Sequence, residues 1–243
     1  MKLGNEIALE SGKQWTFDNN VAPYFDSHVQ QSVPVYLEGH ELICFISDLF
    51  VRDNAIIYEV GSSTGALINK IFDRHHMKNN VRFIGIEPVK SMVEQAKSMV
   101  EQAKKQSKGK HIEYINECIE VVELEPCNLI VSYYCVQFIE MGNREYIFHK
   151  FYEKLQPGGA LIIFEKEIIN DSKINKIVES CYLKFKLKQG FSIDEVLSKK
   201  FSLEGVMNTN TENQNIRLLM NAGFTQFETI MKYGEFHGYL CIK

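Results

Sequence analysis

Residues 56–65, IIYEVGSSTG, constrain the fold of this chain more than any other stretch. An apolar run rich in β-branched and aromatic side chains ends in an acid, and two glycines follow at once. Ala55 to Val60 reads as a buried strand, and Thr64 to His76 as a helix with Leu67, Ile68, Ile71 and Phe72 on one face. A strand that passes through a glycine turn straight into a helix belongs to a parallel α/β sheet. It also aims the turn's free amides into the crevice at the strand's carboxyl end.

The same alternation recurs downstream. Strands are expected at Val81 to Ile86, Ile112 to Ile115, Leu129 to Tyr134 and Ala160 to Glu165. Helices are expected from about Ser91 and from Arg144 to Leu155, the second stopped by Pro157-Gly158-Gly159. Repeated β-α-β units with right-handed crossovers give a doubly wound sheet. The end of the chain differs. Ile216 to Ala222 finishes a helix at Gly223, and two strands follow, Phe224 to Lys232 and Glu235 to Ile242, around a Tyr233-Gly234 turn. So short a connection requires antiparallel pairing. Seven strands, mostly parallel with an antiparallel last strand, describe the Rossmann-like class I methyltransferase fold, here as a single domain over residues 1–243. Residues 1–50 read as an N-terminal helical cap and 167–212 as an inserted cap segment, both placed to cover the carboxyl ends of the strands.

The heptad SMVEQAK occurs twice in succession, at 91–97 and 98–104. Two helical turns per copy put Met92, Val93, Ala96, Met99, Val100 and Ala103 on one stripe, with Glu101 one turn from Lys105. Two heptads are too few for a coiled coil, so the duplication lengthens a surface helix.

Composition excludes several functions. The net charge of −4 provides no overall attraction for polyanions, and the cap lysines 173, 176, 184, 186 and 188 read as a solvated face. Direct nucleic-acid binding is therefore not expected. No apolar run reaches membrane-spanning length and the N-terminus has no signal-like core, which predicts a cytoplasmic protein. Six cysteines without a C-x-x-C pair read as reduced, buried thiols, and the scattered histidines predict no metal site.

The glycine loop is neither a G-x-G-x-x-G dinucleotide fingerprint nor a P-loop. Its E-x-G-x-S-x-G pattern, Glu59 to Gly65, is a variant of the loop that cradles the amino-acid part of S-adenosylmethionine, although a ligand-free glycine turn has the same look. Glu87 closes the second strand in RFIGIEP, where a carboxylate can accept both ribose hydroxyls, and Glu117 closes the third in YINEC. Three acids at successive strand ends favour an adenosyl cofactor.

Several longer strings carry a narrower resemblance: WTFDNNVAPYF (15–25), QQSVPVY (30–36), VQFIE (136–140), LQPGGALIIFEKE (155–167), LEGVMNTNT (203–211) and AGF (222–224). In these the chain resembles the carboxy-S-adenosylmethionine synthase family. The resemblance implies that Tyr36 reaches the cofactor from the N-terminal cap and that Gly61, Ser62 and Ser63 hold its methionine part. It implies Glu87 with Pro88 at the ribose, Glu117 with Cys118 at the adenine, and Tyr133 in the same pocket. Lys200 stands where the family has an arginine that grips the transferred carboxylate, so it is the candidate catalytic cation. Three positions depart from the family pattern: Glu87-Pro88 for Asp-Asn, Tyr133 for asparagine, and Lys200 for arginine, a point charge in place of a planar fork.

The resemblance further implies a homodimer that takes the ring carboxyl of prephenate to the methyl carbon of S-adenosylmethionine, with phenylpyruvate and water released and carboxy-S-adenosylmethionine as the bound product. That donor serves wobble-uridine modification of tRNA. Two other readings share the pocket. One is an ordinary methyltransferase acting on a small molecule or tRNA, with His28 or His237 as base. The other is a catalytically silent cofactor-binding partner.

Overall fold

The computed structural model describes residues 15–17, 21–103 and 112–243. A 3₁₀ turn at Ala22–Tyr24 leads into α1 (Phe25–Ser32) and α2 (Tyr36–Ser47). Alternation then begins with β1 (Ile56–Val60), α3 (Ala66–His75), β2 (Arg82–Ile86), α4 (Lys90–Ala103) and β3 (Ile112–Ile115). It continues through β4 (Cys127–Tyr133), α5 (Met141–Lys154) and β5 (Leu155–Lys166). Helices α6 (Ser172–Lys188) and α7 (Ile193–Ser202) form the inserted segment, and α8 (Glu212–Ala222), β6 (Gln226–Tyr233) and β7 (Phe236–Ile242) complete the chain.

The strands form one sheet in the order β3-β2-β1-β4-β5-β7-β6. All neighbours from β3 to β5 pair in parallel, and β7 runs antiparallel to both β5 and β6. Period-two alternation feeds two cores. Tyr58, Ile130, Leu161 and Ile163 pack on one face, while Ile57, Leu129, Val131 and Ile162 pack on the other. Helices cover both faces, so the central strands β1, β4 and the second half of β5 are apolar on both sides. The strand order reverses between β1 and β4, and this is where a crevice opens at the carboxyl ends.

Some boundaries differ from the sequence reading. Helix α5 stops at Lys154, just before Pro157-Gly158-Gly159 as expected, but β5 starts at Leu155 instead of Ala160, so those three residues lie within the strand. The chain's end secures them: Gly158 N donates to Lys243 O at 2.8 Å and Lys243 N to Gly159 O at 3.0 Å. The last hairpin turns one residue later than expected, at Gly234-Glu235, with Gly234 in the left-handed region at φ +60°. Helix α8 ends at Ala222 before Gly223 as expected, and it starts at Glu212, where Thr211 and Gln214 make a reciprocal capping box. On α4, Met92, Val93, Ala96 and Val100 are buried, but Met99 is 37 % exposed. A heptad falls about 20° short of two full turns, so the second copy rotates away from the first. The expected contacts of Ala103 and the Glu101–Lys105 pair lie outside the described residues. Among the described residues no helix is long and apolar enough to cross a membrane.

Candidate active site

The crevice is roofed by both caps, making a cavity of about 840 Å³, near the upper end of the roughly 300–1,000 Å³ usual for small-molecule sites. The glycine turn forms its floor. Gly61 takes φ +72°, and a Cβ there would lie 2.4 Å from Cys135 Sγ, so no larger residue fits. Ser63 sits in the left-handed region at φ +48°, a strained setting for serine. That conformation aims its amide at Glu87, whose Oε2 accepts it at 2.9 Å while Oε1 accepts Val89 N at 2.9 Å. Burial raises the Glu87 carboxyl above its usual range, opposed by those two amides. Glu59 is buried more completely and accepts Ile68 N at 3.0 Å, which fastens the first turn of α3 to β1. Ser62 Oγ is buried on the cavity wall without a partner.

The N-terminal cap is latched onto this floor. Thr64 Oγ1 donates to Asp26 Oδ1 at 2.6 Å, joining the turn to α1. Tyr133, at the end of β4, donates its hydroxyl to Tyr36 O at 2.7 Å and packs its ring against Tyr36, His40 and Phe164. Gly39 on α2 makes that possible, since a Cβ there would fall 2.2 Å from the Tyr133 hydroxyl. The bulk at Tyr133 therefore props the cap.

The inserted cap is secured by Arg144, which is 2 % exposed and faces carbonyls instead of an acid. Its guanidinium donates to Ile139 O, Gln137 O and Asn208 O at 3.0, 3.3 and 2.6 Å, and to Asn210 Oδ1 at 3.0 Å. Asn210 continues to Asn215, and Asn215 to Glu167, which also accepts the Tyr239 hydroxyl at 2.6 Å and contacts His237. This buried network returns the 203–211 string to the core.

Charge divides the cavity. Glu59, Glu87 and Asp26 line the side of the glycine turn, whereas Lys166, Lys186, Lys199 and Lys200 line the side of the inserted cap, which also brings Glu179 and Glu204. Lys199 is tucked inward over the face of Trp15, whose backbone N donates to Ser202 O at 2.7 Å. Burial, then the neighbouring Lys186, pushes its ammonium group down to about 5. Lys186, over Tyr182 at 4.9 Å from the ring centroid, is pushed down to about 8 by burial and by Lys166. Lys200 is exposed at the cavity wall.

The family described as Methyltransferase domain matches residues 57–159. The carboxy-S-adenosyl-L-methionine synthase of Staphylococcus epidermidis is 32 % identical over 95 % of this chain and 97 % of its own. That of Nautilia profundicola is 33 % identical over 95 % of both. The solved structure of Haemonchus contortus phosphoethanolamine N-methyltransferase 2 with S-adenosyl-L-methionine superposes with a TM-score of 0.62, covering 94 % of this chain and 60 % of that one at 12 % identity. The last likeness shows the fold. The first two decide the family.

The chain belongs to the carboxy-S-adenosyl-L-methionine synthase family.

Its site residues are brought together unevenly. Tyr36, Gly61, Ser62, Ser63, Glu87, Pro88, Tyr133 and Lys200 all line the one cavity. Glu117 and Cys118 do not: both are exposed beyond β3, outside the cavity lining. Asn116 Nδ2 bonds to the carbonyls of Glu87 and Pro88 at 2.9 Å each, and the chain then turns back through Cys118 O, which accepts from Val121 and Val122. Val89 and Met92 line the cavity beyond Pro88 instead. Of the two histidines considered as bases, His28 lines the cavity, and His237 is buried beside Glu167 on β7. The expected solvated face of cap lysines is corrected in part: Lys173, Lys176, Lys184 and Lys188 are exposed, but Lys176 also lines the cavity, and Lys186 is half-buried on its lining. Sequence reasoning passed over Asp26, Lys186 and Lys199. Trp15 and Lys199 lie within or beside strings shared with the family, but only packing shows that they meet.

The floor fits the S-adenosylmethionine that the family name implies. Gly61 at positive φ lets the turn pack tightly against Cys135, a buried serine hydroxyl on the cavity wall lacks a partner, and two carboxylates suit a cationic ligand carrying ribose hydroxyls.

Proposed function

We propose that this protein carboxylates S-adenosylmethionine, using prephenate as carboxyl donor and releasing phenylpyruvate and water. One observation carries the reading: acids line the cofactor side of the cavity, and lysines, with Lys166, Lys186 and Lys199 half-buried, line the side left for a second substrate. A dianionic donor suits such a roof, whereas methyl transfer to a neutral acceptor has no use for desolvated cations.

In this reading Gly61, Ser62 and Ser63 hold the methionine part and Glu87 with Pro88 holds the ribose. Tyr36 and Tyr133 close the pocket from the cap, and the adenine lies toward Val89 and Met92, with Glu117 and Cys118 at its outer edge. When bound, S-adenosylmethionine supplies a methyl group made acidic by its sulfonium. The protein's own part is to position both substrates, to exclude water beneath the caps and to neutralise carboxylates. Lys200 steadies the carboxyl group that moves. Aromatisation of the donor ring drives loss of its carboxyl and hydroxyl groups, so no side-chain nucleophile is needed. We extend the reading to a cytoplasmic homodimer whose product feeds tRNA wobble-uridine modification. Exposed Ile174, Ile177, Ile193 and Phe201 on the inserted cap support self-association.

The test is to incubate the pure protein with S-adenosylmethionine, with and without prephenate, and to weigh the cofactor. A prephenate-dependent gain of the mass of CO₂, matched by phenylpyruvate, is expected. An unchanged cofactor would end the proposal, as would S-adenosylhomocysteine formed only when a methyl acceptor is added.

A further inference from the structure

We infer that Lys186 and Lys199 form a second carboxylate subsite, which takes the carboxylate of the donor's keto-acid side chain while Lys200 faces the carboxyl group that moves. The inference rests on the carboxyl-transfer reading above and assigns the two anionic groups of that substrate to different cations.

The two lysines come from different helices, α6 and α7, and meet in a corner that opens off the main cavity between His28, Ser32, Phe191 and Val196. Among the described residues neither forms an ion pair. The charged groups that act on Lys186 are Lys166 and Glu235, and Glu235 is already held by Lys166 Nζ at 3.3 Å. Among the described residues, Lys186 is the charged group that acts on Lys199. Glu195 lines the corner, but its Oε2 accepts Ser192 N at 2.6 Å in the capping box of α7. Both ammonium groups rest instead on aromatic faces, Tyr182 and Trp15.

Half-buried and without a counter-ion among the described residues, the two amines disfavour holding both protons in the free protein, and an anion between them restores the charge on Lys199. Other polar atoms on the adjoining cavity wall await a partner. Trp15 Nε1 and His28 Nδ1 are both buried without one, and the two rings stack at 6.1 Å between centroids. Burial, Lys199 and Lys186 hold the imidazole down to about 3, so it stays neutral near pH 7 and adds no third charge. The corner has a free volume of about 10 Å³, room for roughly one water-sized group, so a carboxylate would sit at its mouth, where Lys186 and Lys199 also line the main cavity, with no ring inside. Lys200 cannot share this corner. Adjacent residues on a helix project about 100° apart, and Lys200 is exposed where Lys199 is tucked in.

Phenylpyruvate separates the two roles because it keeps the keto-acid carboxylate and lacks the ring carboxyl. Its binding to the full-length protein saturated with S-adenosylmethionine is measured by calorimetry. Lys186→Met and Lys199→Met should each weaken phenylpyruvate about 30-fold or more, as expected for loss of one partner from a buried charge pair. Lys200→Met should leave its affinity within about twofold, and Lys199→Arg should restore most of what Lys199→Met loses. In turnover, the two methionine variants should raise the KM for prephenate with no change in affinity for S-adenosylmethionine. Parent-like phenylpyruvate binding in Lys199→Met, an equal loss in all three methionine variants, or no binding by the parent would each overturn the inference. A parent that binds phenylpyruvate through Lys186 and Lys199 but makes no carboxylated cofactor would instead refute the carboxyl-transfer reading and leave a keto-acid subsite.

Discussion

Replacing Lys199 by methionine should stabilise the ligand-free protein. In the folded chain, burial and Lys186 hold the ammonium group down to about 5, whereas an unfolded chain keeps its proton up to about 10.4. Between those values the unfolded state binds more protons, so this residue makes stability rise with pH. Its penalty is full below pH 5, smaller at neutrality, and absent above about pH 10.4. At pH 7 the remaining gap of about three pH units corresponds to several kcal/mol, reduced to about 2–3 kcal/mol because the side chain is only partly sheltered from water. Methionine keeps a polarisable contact with Trp15 and removes the charge. In a chain of this size about 1 kcal/mol moves the melting midpoint by roughly 2–4 °C, so a rise of about 5–10 °C is expected at pH 7. Thermal unfolding of both proteins without ligand, at pH 6, 7 and 9.5, provides the test. The gain should be largest at pH 6 and nearly gone at pH 9.5. A lower midpoint for Lys199→Met, or a difference that widens with pH, would show that the lysine is a structural member of the fold.

Three further outcomes follow from the geometry. Gly39→Ala places a methyl group 2.2 Å from the Tyr133 hydroxyl, so it should lower stability by about 1–3 kcal/mol and weaken cofactor binding, read by melting and calorimetry. Glu87→Gln keeps the shape but loses the charge and one of the two acceptors used by Ser63 and Val89; affinity for S-adenosylmethionine should fall about tenfold or more. Arg144→Met strands the carbonyls of Ile139, Gln137 and Asn208, at a cost on the order of 3 kcal/mol. Hydrogen exchange should then rise over residues 203–212 ahead of the sheet, and exchange unchanged there would dismiss Arg144 as the tether of the cap.

Local pattern explains why the sheet was readable in advance. Strands β1 to β4 announce themselves by apolar runs and glycine turns, and the helices between them by a 3.6-residue period, because each such element buries its own stripe. The same logic revealed the glycine turn and Glu87, which meet across one strand connection. It failed at boundaries set by distant partners. Pro157-Gly158-Gly159 has the form of a helix stop, yet the last residue of the chain pairs with it and extends β5. Glu117 followed the rhythm of strand-end acids, but bonds from Asn116 hold the loop beyond it in place and leave its side chain in solvent.

Alone, the sequence determined the alternating sheet, its reversed last strand, the cradle for an adenosyl ligand and the family, because these depend on residues close together in the chain or on whole shared strings. The tertiary structure decided which of two adjacent lysines is tucked over Trp15, why a glycine on α2 must face Tyr133, and which carbonyls Arg144 holds. Those choices depend on how α6, α7 and the N-terminal cap seat against one another across as many as about 180 residues of chain. Burial and charge are properties of that packing, and no local run of residues encodes them.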